Sequence, residues 1–309
     1  MRLAGHSEAV GPTAIDPFPP LWLQENVTLI PRTPGAIMST KIAPEGFKAR
    51  WKKRLAGTPV MPAAQLVSRG ITRAWLSLTS KPPMTLNHLY DRQSVEVMRR
   101  VLQPDSIGID IGCNEGLLLK ALAKVAPQGE HHAFEPLPHL FAELRNQFGT
   151  NPRLHLHNMA LSDSTGTATF QHVVTNNGYS GLKTRRYDRP DEQVEQIEVR
   201  LEKLDSIIPA STPVRFVKID VEGAELQVLK GALNLLGSQK PVVLLEHGIG
   251  SSDFYGTLPE HIFDLFAGCG LRMFLVRKWL KSGGRDSLSR QAFFDQYWDQ
   301  TNYFFLAGP

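Results

Sequence analysis

Carboxylates stand at several points where apolar runs of this 309-residue chain end, and their neighbours suggest what each could bind. Asp110-Ile111-Gly112-Cys113-Asn114-Glu115-Gly116 closes the run Ile107–Ile111. Gly112 and Gly116 let the backbone turn sharply and come close to a ligand, which a Cβ would prevent. The spacing lacks the G-x-G-x-x-G of a dinucleotide fingerprint. A carboxylate at that position also suits a cationic ligand group better than a pyrophosphate, because like charges repel. Glu135 ends the next apolar run in Phe134-Glu135-Pro136. It can accept two hydrogen bonds from a ribose diol, as such acids do in nucleotide-binding α/β folds.

A denser cluster is Lys218-Ile219-Asp220-Val221-Glu222-Gly223-Ala224-Glu225. Ligands of open α/β sheets sit at the carboxyl ends of strands, so Asp220 and Glu222 are expected to face the same crevice edge as Asp110 and Glu135. Glu225 reads as a helix N-terminal acid favoured by the macrodipole. Glu246-His247 ends another apolar run, and His247 there is either a general base or a hydrogen-bonded structural residue. Asn158 to Asp163 enters a turn whose Ser162 and Asp163 could meet an adenine, although such a turn needs no ligand to explain it. The amino group of adenosylmethionine is a cation of the kind Asp110 would take. Glu135 supports any adenosyl ligand and does not by itself separate adenosylmethionine from a nicotinamide cofactor.

The elements that must position these groups alternate. Apolar strands are expected at Ile107–Ile111, His131–Phe134, Leu154–Leu161, Val214–Ile219, Val242–Leu245, Leu271–Val276 and Tyr303–Leu306. Helical patterns lie at Leu117–Val125, Leu137–Phe148, Leu226–Leu236 and Ile262–Phe266, and a further helix over His88–Leu102 stops before Pro104. Such alternation implies an α/β fold, a parallel sheet with helices on both faces. Residues 166–204 interrupt it with β-like runs, Thr167–Val174 and Gln196–Leu204, around a polar loop.

Three segments follow: a poorly ordered leader over 1–37, a basic, helical extension over 38–85, and the domain of 86–309. The leader is rich in Pro, Gly and Ala, and Met38 reads as an alternative start. Phe47, Trp51 and Leu55 recur at helical spacing among basic residues. They fit a helix packed on the main domain, or a peripheral membrane contact. Residues 41–100 carry twelve Lys and Arg against three acids, so the net charge of +4 hides a negative remainder. Nothing resembles a nucleic-acid module with interleaved stacking aromatics. The chain is 42% hydrophobic and 21% charged, ordinary for a globular protein, and no stretch approaches the apolar length needed to span a bilayer. Two cysteines, Cys113 and Cys269, are too few for a disulfide framework, so a cytoplasmic setting is expected.

These motifs, in this order, resemble the FkbM family of methyltransferases over roughly Tyr90 to Leu306. The resemblance rests on Ile109-Asp110-Ile111-Gly112-Cys113, Phe134-Glu135-Pro136, Ala160-Leu161-Ser162-Asp163, Leu204-Asp205 and, most specifically, Lys218 to Glu225. Cys113 departs from it, standing where the family more often has Ala. The resemblance implies a seven-stranded Rossmann-like sheet, mostly parallel, here with an N-terminal extension. It also implies S-adenosyl-L-methionine as methyl donor and O-methylation of a sugar, glycan or natural-product hydroxyl. Cofactor contacts are then expected from Asp110, Gly112, Gly116, Glu135, Ser162, Asp163 and Asp220, and catalytic roles from His247 and Asp220. Tyr179-Ser180-Gly181-Leu182 falls where it could line an acceptor pocket. Catechol-type methyltransferases hold a divalent ion at the ends of two adjacent strands. Asp220, Glu246 and His247 occupy comparable places here, so a metal is a second, less favoured expectation. A ligand-binding protein without turnover and a nicotinamide-dependent oxidoreductase are the alternative functions.

Overall fold

A computed structural model of the protein describes residues 86–309, and the leader, the alternative start at Met38 and the basic extension lie outside the described residues. Helix α1 (Leu86–Val101) leads into the alternating part: β1 (Ile107–Ile111), α2 (Leu117–Val125), β2 (His131–Phe134), α3 (Pro138–Phe148) and β3 (Leu154–His157). The inserted region holds β4 (Ala160–Leu161), β5 (Gly166–Val173), β6 (Val194–Glu202) and α4 (Leu204–Ile207). The remainder is β7 (Val214–Ile219), α5 (Glu225–Lys230), α6 (Leu233–Gln239), β8 (Val242–Glu246), α7 (Pro259–Gly268), β9 (Arg272–Leu275), α8 (Val276–Ser282), α9 (Arg290–Trp298) and β10 (Phe304–Gly308).

Seven strands form one sheet in the order β3-β2-β1-β7-β8-β10-β9, with β10 alone running antiparallel to its neighbours. This is the seven-stranded, mostly parallel Rossmann-like sheet that the family resemblance implies, built on the parallel strands that the alternation implies. Side chains alternate between its two faces. Ile109, Ile111, Val217, Ile219, Val243 and Leu245 point to one face, where they pack with Leu229, Leu236, Ile262, Phe266 and Phe293 from α5, α6, α7 and α9. Ala133 and Leu154 point to the other, against Leu119 of α2 and Leu144 and Phe148 of α3. The strands read as continuous apolar runs because both faces are covered. Among the described residues no helix is long and apolar enough to cross a membrane.

Several expected boundaries change for identifiable reasons. The run Leu154–Leu161 is not one strand: β3 stays in the large sheet, whereas β4 joins β6 and β5 in a separate three-stranded sheet. Asn158 marks the parting, its side-chain amide donating to the carbonyls of Glu135 (2.9 Å) and Pro136 (3.1 Å). The run Leu226–Leu236 divides into α5 and α6 around Gly231, where a Cβ would stand 2.1 Å from the Ser162 carbonyl oxygen. Strand β6 ends at Glu202, and Leu204 instead begins α4. Val276 likewise belongs to α8, not to β9.

The Leu204-Asp205 motif has a structural role. The Asp205 carboxylate accepts from the backbone N–H groups of Asn234 (2.9 Å) and Leu235 (3.0 Å), two of the orphan donors at the start of α6. Replacing Asp205 with Ala should lower stability by about 1–2 kcal/mol, as cap removal does. Urea unfolding, with an unchanged slope and a lowered midpoint, is the measurement that checks this.

Candidate active site

The carboxyl ends of β2, β1, β7 and β8 lie side by side, and the parallel register decides which groups meet there. Asp110 of β1 pairs directly with Lys218 of β7. Both lie on the α2–α3 face of the sheet, opposite Ile109, Val217 and their apolar neighbours. The Lys218 ammonium stands 3.6 Å from Asp110 Oδ1 and 3.5 Å from Asp220 Oδ2, and donates to the Gly112 carbonyl at 2.7 Å. Lys218 and Asp110 are both buried. Burial opposes the ammonium charge, but the Asp220 and Asp110 carboxylates outweigh it and hold the Lys218 pKa above the ordinary lysine range. Burial raises the Asp110 pKa, with Lys218 opposing and Asp220 adding to the shift. Among the described residues no well-formed hydrogen bond reaches either Asp110 oxygen, only the Lys218 ammonium at 3.6 Å and a weak approach of the Leu119 N–H, so much of this buried carboxylate's accepting capacity stays open.

Gly112 and Gly116 both adopt left-handed backbone, with φ of 72° and 77°. The contacts that demand glycine come from the protein itself. A Cβ on Gly112 would lie 1.9 Å from the Asp220 carbonyl oxygen, and one on Gly116 would meet Leu144 and Phe148 at 2.7 and 2.8 Å. Between them the Asn114 N–H donates to Glu135 Oε2 (2.9 Å), while the Leu137 N–H donates to Glu135 Oε1 (2.9 Å). Glu135 thus ties the first loop to the second. Burial lifts its pKa to about 7 despite those two donors, which favour the charged form.

Asp220, Glu222 and Glu246 each bring a carboxylate oxygen within 4.8 Å of the others. Glu222 reaches this position through left-handed backbone (φ 60°), which costs a non-glycine residue about 1–2 kcal/mol. Surrounding contacts enforce it. Glu225 Oε1 accepts from the N–H groups of Gly223 (3.0 Å) and Val221 (3.3 Å), and a Cβ on Gly223 would stand 2.6 Å from the Ser251 carbonyl oxygen. Glu225 therefore shapes the loop, a duty beyond the helix-terminal role its position suggests. Burial lifts its pKa to about 7. Burial, followed by the nearby Asp220, raises the Glu246 pKa well above the usual carboxylate range. Arg185, from the inserted region, forms an ion pair with Glu222 and lies over the Tyr179 ring at 4.9 Å.

His247 does not join these groups. It follows Glu246 on the same extended backbone, its N–H donating to the Tyr303 carbonyl, so the two side chains point to opposite faces. Glu246 reaches the crevice, whereas His247 is fully buried with Val243, Leu245 and Phe293 on the apolar side. Its ring stacks on Tyr297 with centroids 4.8 Å apart, and burial lowers its pKa to about 3. Glu222 takes the third place in the carboxylate group that was expected for His247. Ser162 is buried, its N–H donating to the Glu202 carbonyl and its hydroxyl to Asp163 (3.3 Å), and Asp163 is exposed beside it.

Sequence reasoning assigned no role to Lys218, Asn114 or Arg185. Lys218 had a signal, since a lysine inside an apolar strand needs a buried partner. Arg185 had none, because its partner lies 37 positions further along the chain.

The family model of the methyltransferase FkbM domain matches residues 110–273, just over half the chain. The chain belongs to the FkbM methyltransferase family. This family member is 26% identical over 166 residues to the 2-O-methyltransferase NoeI of Sinorhizobium fredii, covering 46% of this chain and 65% of NoeI. It is 28% identical over 180 residues to the AMB antimetabolite synthetase AmbE of Pseudomonas aeruginosa, covering 47% of this chain but 8% of AmbE. The FkbM methyltransferase structure from Methylobacillus flagellatus KT matches at 19% identity and a TM-score of 0.37, covering 55% of this chain and 44% of that one. The family match begins at Asp110 and ends at Met273, so it contains Glu135, Lys218 and the three grouped carboxylates.

In this FkbM-family domain, replacing Lys218 with Met leaves Asp110 and Asp220 without their countercharge. The loss should be about 3 kcal/mol, as for other broken buried pairs. Adding Asp110→Asn should restore part of it, a coupling that a double-mutant cycle in urea would measure.

Proposed function

We propose that the protein is an S-adenosyl-L-methionine-dependent O-methyltransferase acting on a hydroxyl of a sugar, glycan or natural product. The observation that carries this reading is the buried Asp110 carboxylate. Among the described residues no well-formed hydrogen bond reaches it, and it stands at the end of β1 beside a left-handed glycine turn. Such a group fits the cationic amino end of the methyl donor. Glu135 keeps accepting capacity beyond its two backbone donors and suits a ribose diol one strand away. Ser162 and Asp163 are assigned to the adenine side.

Bound adenosylmethionine would supply a methyl group already activated by its sulfonium. The chain's task is then to hold donor and acceptor in line at near-attack distance. Asp220, in contact with Lys218 and partly exposed, is the carboxylate placed to orient the acceptor hydroxyl. Tyr179 and Arg185 are assigned to the acceptor side, because the inserted region reaches the crevice through them. Asp220, Glu222 and Glu246 have the all-oxygen chemistry of a hard cation site. The guanidinium of Arg185 already balances one of their charges, which favours turnover without a metal.

Calorimetry with adenosylmethionine, adenosylhomocysteine and NADH tests the reading at its root. Both adenosyl ligands should bind and NADH should not, and failure of both to bind would falsify it. Asp110→Asn should weaken adenosylmethionine at least tenfold. Glu135 accepts hydrogen bonds best as a carboxylate, so adenosylhomocysteine affinity should rise as pH climbs through about 7. That rise should be absent in Glu135→Gln. Labelled-methyl transfer to glycan and small-molecule extracts would identify the acceptor. His247→Leu and added chelator should each leave turnover within about threefold of the starting value, since neither touches the proposed chemistry.

A further inference from the structure

A short 3-10 turn over Ser252–Tyr255, between β8 and α7, touches both the acid loop around Glu222 and the inserted region. The turn itself is firmly held. Ser252 is fully buried, its hydroxyl donating to the Gly248 carbonyl (2.9 Å) and lying 3.4 Å from the Tyr297 hydroxyl of α9. The Gly250 N–H donates to Asp253 Oδ1 at 2.6 Å. Tyr255 projects from the end of this turn between two glycines. A Cβ on Gly223, in the acid loop, would stand 2.7 Å from Tyr255 Cε2, and one on Gly181, in the inserted region, 3.3 Å from its hydroxyl oxygen. That hydroxyl accepts from the Lys183 N–H at 2.8 Å, and the Lys183 ammonium lies 5.1 Å from the ring centre. On one side Gly181 exchanges backbone hydrogen bonds with Gln171 of β5 (2.8 and 3.1 Å), and on the other the Arg186 N–H donates to the Gly250 carbonyl (3.0 Å). Arg185 lies between these anchors and pairs with Glu222.

We infer that Tyr255 is a positioning residue for the acceptor side of the site: it holds residues 181–186 against the acid loop, so that Arg185 meets Glu222. This role rests on the assignment of the inserted region to the acceptor side. A long, flexible arginine side chain loses much rotamer freedom when it is fixed in one ion pair, and backbone anchors on both sides of it reduce the volume it must be recruited from. The anchor before Arg185 is the Tyr255 hydroxyl, and the one after it is the Gly250 carbonyl, on the loop that carries Tyr255. The ring does a second task, because it fills the space that Gly181 and Gly223 leave and so sets the distance between the two walls. A buried tyrosine needs a partner for its hydroxyl, and the Lys183 N–H supplies it. Burial raises the Tyr255 pKa above the ordinary tyrosine range, so the hydroxyl stays neutral at working pH. On the donor side, Asp110 and Glu135 are held by Lys218 and by the Asn114 and Leu137 N–H groups, contacts in which Tyr255 takes no part. Loss of Tyr255 is therefore expected to act on one side of the site.

The test uses the full chain. Hydrogen exchange read by mass spectrometry should show a protected Lys183 amide in the starting protein, and Tyr255→Phe should speed its exchange at least tenfold. Trypsin cleavage after Lys183, Arg185 or Arg186 should rise in the same variant and further in Tyr255→Ala. Calorimetry should give adenosylhomocysteine affinities within about threefold of each other for the starting protein and Tyr255→Phe. In labelled-methyl transfer to a glycan and small-molecule extract, Tyr255→Phe should need at least tenfold more extract for half-maximal incorporation. Its KM for adenosylmethionine should stay within about threefold, a split that general loss of stability would not produce. Circular dichroism establishes that each variant is folded. Tyr255→Phe keeps the ring, so it bears on the role even where Tyr255→Ala does not fold. Unchanged Lys183 exchange in Tyr255→Phe would overturn the inference, as would equal losses on the donor and acceptor sides. Failure of the starting protein to bind adenosylhomocysteine would instead overturn the reading of its function, while the exchange result would still decide whether Tyr255 holds residues 181–186.

Discussion

The buried Lys218 ammonium is the interaction on which the candidate site depends. It lies between two carboxylates on adjacent parallel strands and reaches the Gly112 carbonyl, so one side chain joins the ends of β1 and β7 to the turn that follows β1. An ammonium in this setting is tolerable only because the negative charges sit within 4 Å of it. The dependence is mutual, since among the described residues Lys218 is the countercharge paired with Asp110. Gly112 follows from the same arrangement: its missing Cβ is what lets the Asp220 backbone approach.

Around that centre, local strain and charge are held in place by neighbours. Glu222 occupies a backbone region that side chains avoid, and the Glu225 carboxylate on one side and the Ser251 backbone on the other leave it little alternative. Strain of this kind persists where surrounding structure over-determines it, most often at functional sites. Arg185 then brings a positive charge from a distant loop onto a group of acids that would otherwise repel one another. Two backbone N–H groups hold Glu135 while leaving part of its accepting capacity open. The crevice is therefore a set of acids with individually different surroundings: Asp110 and Asp220 share the lysine, Glu222 pairs with arginine, and Glu135 is held by backbone donors.

Much of the fold was legible in the chain. Strands buried on both faces read as short apolar runs, and the carboxylates that terminate them mark the crevice edge. Legibility failed where a local pattern is continued by chemistry from elsewhere. The run Leu154–Leu161 looks like one strand until the Asn158 amide, bonded to the loop after β2, turns the chain into a second sheet. His247 looked like a site residue because it adjoins Glu246. Adjacency along a strand is what sends the two to opposite faces, and the aromatic wall of α9 makes His247 a packing group.

The sequence by itself determined the alternation of strands and helices, the family, and the position of each acid at the end of its strand. These are properties of local periodicity and of short motifs, which do not need a partner to be read. The tertiary structure alone decided which acids share a cation and which are held by backbone donors. It also decided that Glu222, not His247, completes the carboxylate group, and that Arg185 reaches it. Coulomb and desolvation energies depend on separations of a few ångströms between residues dozens of positions apart, and only strand register and loop docking set those separations.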